Sequence, residues 1–300
     1  MPITATYLAK GYEHLNGKLE VPNLEGGYFY PLSPNEKANV LGAPPYHFCG
    51  EEIVFAYQAD PEEVKKFLPY PFEPSVENPG GCVLHINSYV SKTAEDDALL
   101  YELPERCNYT ETYLECRCRF QGKETKIYVY FWVDKDFSML RGWLQASPKK
   151  FGETHVTFEK RHLFDMNPYF PQFGEGFEIG GVCSAHQEKV VTAYCKLDKQ
   201  IKAEEMHPDV LMGTHGLFIY PDFKMGYTGR SINKVIHCVT DTWYGDVWKC
   251  KEPKIEYFKS IVEEHDLLKP ISIDAAYYYT LGFTIYGHVV DYDVNEDNKK

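Results

Sequence analysis

The 300-residue sequence predicts a mainly β protein of the α+β class: a large antiparallel sheet or β-barrel with a few helices packed on it. Three observations point there. Seven segments alternate with a period of two: CVLHINSYV (82–90), TYLECRCRF (112–120), KIYVYFWVD (126–134), THVTFEKRHLF (154–164), KVVTAYCKL (189–197), NKVIHCVTDTW (233–243) and YYYTLGFTIYGHVVDY (277–292). β-Branched and aromatic residues fill them, which suits a pleated, half-buried surface. No Ser/Gly linker or internal repeat divides the chain, so these strands are expected to build one domain.

Residues 1–45 are rich in Gly, Pro and Asn, a composition that cannot sustain a helix and predicts an irregular N-terminal arm. The regular domain is expected over 46–292, opening with a strand at Glu52 to Tyr57. A short helix should follow from Asp60, with Asp as cap, Pro61 in the first turn, and Val64, Phe67 and Leu68 on one face. Pro69 and Pro71 end it. A second helix is expected over Lys254 to Glu264, where Ile255, Phe258, Ile261 and Val262 share a stripe. The acidic end, residues 293–300, reads as a solvated tail.

With 31 Lys plus Arg against 44 Asp plus Glu, the net charge of −13 argues against nucleic acid or anionic lipid as a partner. No uncharged apolar run approaches the roughly 20 residues that span a bilayer, and the first residues lack the charged and apolar regions of a signal peptide. A cytoplasmic location is expected. Nine dispersed cysteines without a CxxC pair read as free thiols. The sequon at Asn108 to Thr110 is therefore expected to be unmodified.

No GxxxxGK(S/T), HExxH or GxSxG occurs, and GEGFEIG (174–180) lacks the spacing and context of a dinucleotide fingerprint and reads as a loop. The eleven histidines are dispersed, so no metal is expected. The chemistry points instead to Ser147-Pro148-Lys149-Lys150, approached through Met139, Leu140, Trp143 and Leu144. A lysine attacks a carbonyl only as the neutral amine, yet its ordinary pKa is about 10.4. Apolar walls and a neighbouring ammonium both disfavour the charged form, and this segment offers both.

An ordered set of motifs around that lysine pair resembles the acetoacetate decarboxylase superfamily. Residues 46–57, the helix after Asp60 and the Pro69 to Glu73 turn resemble the family's opening strand, helix and Pro-x-Pro turn. Tyr109-Thr110-Glu111 resembles its tyrosine-threonine-glutamate element, and Pro148-Lys149-Lys150 stands where the family carries its Schiff-base lysine and that lysine's neighbour. Trp243 to Gly245 and the closing strand from Tyr277 to Tyr292 follow in order, so the resemblance spans Tyr46 to Tyr292. It implies that Lys149 is the imine-forming nucleophile, Lys150 its electrostatic tuner and Glu111 an active-site acid or base. It also implies a homo-oligomer that needs no cofactor.

Two departures bear on the reaction. The decarboxylase proper carries an arginine in its opening strand, whereas no arginine occurs here between Met1 and Glu105. Gln145, four residues before Lys149, is similar to the superfamily branch with aldolase, dehydratase or cyclase activity on pyruvate-like keto acids. His85 and Asn87 share one face of their strand and are candidates to line the pocket, as is Tyr279 among Tyr277 to Tyr279. Trp132 and Trp143 are assigned to packing. The expected function is a Schiff-base lyase of the decarboxylase type on a small keto acid, a divergent member of the superfamily. Aldol or dehydration chemistry with the same lysine is one alternative, and a non-catalytic small-molecule-binding barrel is another.

Overall fold

The computed structural model describes residues 26–93, 97–226 and 229–297. In chain order its elements are β1 (Tyr46–Gln58), α1 (Pro61–Lys66), β2 (Glu73–Pro74), β3 (Gly81–Thr93), α2 (Leu99–Glu102), β4 (Asn108–Phe120), β5 (Lys123–Val133), α3 (Asp136–Leu144), β6 (Lys149–Phe151) and β7 (Glu153–Val156). They continue with β8 (Glu178–Ala185), β9 (Glu188–Ile201), α4 (Pro208–Leu211), β10 (Thr214–Pro221), β11 (Arg230–Tyr257), β12 (Ser272–Asp293) and α5 (Val294–Asp297). All strands belong to one sheet, antiparallel except where β5 pairs with β6 and β10.

The order β10-β5-β4-β3-β1-β12-β11 is closed by pairing between β10 and β11, so seven strands form a ring. Strands β11 and β12 outrun that ring. The second half of β11 pairs with β9, and β8 and β7 extend a second layer. The period-two alternation of the shared strands divides the interior accordingly. Ile53, Phe55, Leu84, Ile86, Leu114 and Tyr278 face the apolar core, which also holds Ile179, Val191 and Leu197 of the second layer. The opposite residues of β1, β3 and β4 face into the ring, and there the polar residues gather.

Six of the seven alternating segments lie in the strands expected of them; in THVTFEKRHLF the strand stops at Val156 and Phe158–Met166 is a 3-10 helix. The helix predicted over Lys254 to Glu264 is not formed. Lys254 to Tyr257 instead pair with Tyr194 to Val191 of β9, and Ile261 and Val262, meant for a buried stripe, are exposed. Strand pairing across a twisted sheet outweighs a short helical period. In GEGFEIG the last three residues open β8. Of the first 45 residues, 1–25 lie outside the described residues; 26–45 form turns without helix or strand, and Leu41 is buried. In place of a solvated tail, residues 294–297 form one helical turn with Val294 buried, while 298–300 lie outside the described residues.

Candidate active site

A cavity of about 570 Å³ occupies the interior of the ring. Lys149 enters it from the short strand β6, which follows α3 through a tight reversal. Ser147 N–H donates to Gly142 C=O at 2.9 Å and Ala146 N–H to Trp143 C=O at 3.3 Å, a Schellman arrangement. Ala146, at the position where glycine is usual, has φ +57°. Trp143 Nε1 then donates to Lys149 C=O at 2.8 Å, so this half-exposed tryptophan clips the strand in place as well as packing. Trp132 is fully buried packing.

Gly142 serves the lysine directly. A Cβ there would lie 2.3 Å from Lys149 Cδ, so the helix turn must be bare for the lysine stem to pass. The Nζ of Lys149 is buried, 2.6 Å from Glu111 Oε2 and 3.0 Å from Ser138 Oγ, with the Phe131 and Tyr109 rings 4.9 and 5.6 Å away. Burial lowers its pKa; Glu111 opposes this and the Arg141 guanidinium adds to it.

Lys150 does not tune it. Adjacent residues of a strand point to opposite faces, and Lys150 leaves the cavity to pair with the buried Glu263, its Nζ over the Tyr130 ring. The cation that acts on Lys149 is Arg141, one turn back on α3. Its guanidinium is buried against Phe48, 4.6 Å from the ring centre, and donates to Ser91 Oγ at 3.0 Å. The second terminal nitrogen, Nη2, has no hydrogen-bond partner, and Arg141 lines the cavity. Sequence reasoning gave this residue no role, looking for an arginine on the opening strand; its place eight residues before Lys149 was the available signal.

The opening strand supplies a carboxylate instead. Glu52 accepts from Tyr89 and Tyr279 hydroxyls, each at 2.8 Å, and pairs with His85 Nδ1. His85 Nε2 lies 3.1 Å from Glu115 Oε2, which also meets Lys126 Nζ at 2.5 Å; Glu115 Oε1 accepts from Thr214 Oγ1 at 2.6 Å. A carboxylate on each ring nitrogen favours the imidazolium form of His85: burial depresses its pKa, but Glu52 and Glu115 outweigh that and raise it. Burial acts against ionisation of Glu115, yet Lys126 and His85 hold its pKa down to about 2. Sequence reasoning missed Glu52, Glu115 and Lys126. The same two-residue period that leads from Glu111 through Tyr113 reaches Glu115.

His85, Glu111, Tyr279 and Gln145 thus all line the cavity with Lys149. Gln145 caps α3, and its Nε2 is buried without a partner. Asn87 sits cross-strand from Glu52 and Glu111, fully buried with neither amide atom partnered, and is outside the cavity lining. Among the described residues one group could hold a metal ion, His215, His237 and Asp291, also on the cavity wall. All nine cysteines are unbridged. No helix among the described residues is long and apolar enough to cross a membrane.

Comparison with known proteins places this geometry. The family model for acetoacetate decarboxylase matches residues 29–294. The chain belongs to the acetoacetate decarboxylase family. The match begins seventeen residues before the Tyr46 expected from the motifs (46 − 29 = 17). Among solved structures, an acetoacetate decarboxylase-like enzyme from Sphingomonas wittichii RW1 has a TM-score of 0.78 at 22% identity, over 89% of this chain and 100% of that one. The enduracididine biosynthesis enzyme MppR, in complex with the condensation product of pyruvate and imidazole 4-carboxaldehyde, has a TM-score of 0.76 at 24% identity, over 90% and 98%. An acetoacetate decarboxylase from Legionella pneumophila has a TM-score of 0.68 at 16% identity, over 92% and 100%. No curated protein matches the sequence. These likenesses establish the family's fold for the chain.

Proposed function

We propose that this acetoacetate decarboxylase family member is an enzyme that forms a Schiff base between Lys149 and a small keto acid and makes or breaks a carbon–carbon bond through the resulting enamine. The observation that carries this reading is the buried Lys149 amine, its pKa lowered, held by Glu111 and Ser138 at the wall of a cavity large enough for substrate. The neutral amine adds to the keto carbon, water leaves, and a cationic iminium remains. That cation accepts the electron pair released when a neighbouring C–H or C–C bond breaks. Glu111 lies within reach of the reacting nitrogen and can carry protons to and from it.

Arg141 favours a carboxylate next to the keto group. A guanidinium with a free, buried donor is suited to hold a carboxylate while the lysine attacks. In a 2-keto acid held this way the iminium is resolved by losing a proton from C3, and the enamine then adds to an aldehyde; elimination of water completes a condensation. MppR, whose structure contains a condensation product of pyruvate, supports this fate. The second reading is decarboxylation of a β-keto acid, in which the same iminium takes the electrons of the departing carboxylate; the decarboxylases that share the fold support it.

Borohydride reduction tests the proposal and separates the two fates. Wild type incubated with pyruvate, and separately with acetoacetate, should gain the mass of the reduced adduct at Lys149, and Lys149→Ala should gain none. Carbon dioxide release from acetoacetate selects decarboxylation. An aldehyde-dependent adduct from pyruvate selects condensation. No adduct with these or with larger keto acids would leave a binding barrel.

A further inference from the structure

Three neighbouring strands of the ring bring together three side chains that Lys149 chemistry does not use. His215 opens β10, His237 lies on β11, and their rings meet edge to face with centres 5.6 Å apart. Asp291 comes from β12 at a register break: Val235 pairs with Tyr292 and Ile236 with Val290, so Asp291 is the extra residue. A bulge re-aims a side chain, and here the carboxylate reaches 2.7 Å from His237 Nδ1 and 3.7 Å from His215 Nε2.

The hydrogen bonds around His215 accommodate the tautomer that a metal ligand needs. With the Thr125 hydroxyl proton on Gly213 C=O, 3.1 Å away, the Thr125 oxygen is free to accept Nδ1–H of His215 at 2.7 Å. The lone pair of His215 is then on Nε2, directed towards Asp291 Oδ2 at 3.7 Å, beyond hydrogen-bond reach. Two acceptors facing each other across such a gap are satisfied by a cation between them. Ligands of a tetrahedral zinc at about 2.0–2.2 Å lie about 3.3 Å from one another, between the two separations found here. Thr125 is the outer partner that orients a ligating imidazole.

We propose that His215, His237 and Asp291 form a site for a divalent first-row transition metal, zinc in the first instance, with an open coordination position on the cavity. Two imidazoles and one carboxylate are three protein ligands, which leaves the fourth position for water or for a carbonyl or carboxylate oxygen of a cavity ligand. Ligation uses the Nδ1 lone pair of His237, so in the metal-bound form its ring proton sits on Nε2. The site does not depend on Lys149 being a nucleophile.

Untagged protein stripped with a chelator should bind one equivalent of zinc by calorimetry and show the visible ligand-field bands of a four-coordinate site with cobalt(II). His215→Ala and Asp291→Asn should each weaken zinc binding by more than about 100-fold, and Thr125→Val by about 10-fold to 100-fold. Lys149→Ala should leave it unchanged, so failure of the Schiff-base reading and failure of the metal site are separately visible. Melting of each apo variant within a few degrees of wild type guards against misfolding, with Asp291→Asn the variant closest to the native shape. Absence of stoichiometric zinc, or equal affinity in wild type and both ligand variants, would overturn the proposal and leave a hydrogen-bonded trio.

Discussion

Lys149 and Lys150 are neighbours in sequence and live in different proteins, physically speaking. One is buried among Phe131, Tyr109 and Ser138 with its amine on Glu111; the other is half-exposed, lies over Tyr130 and neutralises Glu263. A three-residue strand separates them completely, because alternation sends consecutive side chains to opposite faces. Tuning of a nucleophile is therefore a matter of faces and not of adjacency. The helix α3, which shares the Lys149 face, contributes the effective cation, Arg141.

The largest expected effect is that of Lys149→Ala, which should abolish imine trapping and lower turnover by about 10³-fold or more. Gly142→Ala comes next. Displacing the lysine stem by about 1 Å should cost on the order of 10²-fold in the rate of imine formation while the protein stays folded, measured by timed borohydride quenching. Arg141→Met should weaken keto-acid binding by about 10-fold to 100-fold, the worth of a charged hydrogen bond. It also sharpens the contrast through pH. Arg141 helps hold the Lys149 pKa down, so its loss raises that pKa, and the acid limb of the rate profile should move to higher pH. Lys150→Met should leave both rate and acid limb nearly in place and instead destabilise the fold by about 1–2 kcal/mol, because Glu263 stays buried without its main partner. A shifted acid limb in Lys150→Met would break the comparison. Smallest is Ala146→Gly, which removes a side chain from a left-handed backbone position and should raise stability by about 1 kcal/mol or less in denaturant unfolding.

The strands were legible because each buries one face, which writes a two-residue period into the chain. Lys149 and Glu111 were legible through short motifs. Their partners were not, since a cross-strand neighbour leaves no local trace: Glu52 meets His85 and Tyr279 only through registers that join residues 33 and 227 positions apart. Arg141 was hidden for another reason. The segment Asp136–Leu144 carries its functional residue on a buried helix face among aromatic rings, where an arginine is unexpected. The predicted helix near Phe258 failed because four apolar residues at helical spacing say nothing about whether a partner strand is waiting beside them.

The length of β11 carries a consequence for how the molecule is made. Its 28 residues serve the ring with one half and the outer layer with the other, and β12 binds both halves as well as β1. Until Ser272–Asp293 leaves the ribosome, β1 and β11 each present an unpaired edge, open to pairing with any passing strand. The last long strand is therefore the fastener of the whole assembly, and a nascent chain stalled before it should be a strong client for chaperones.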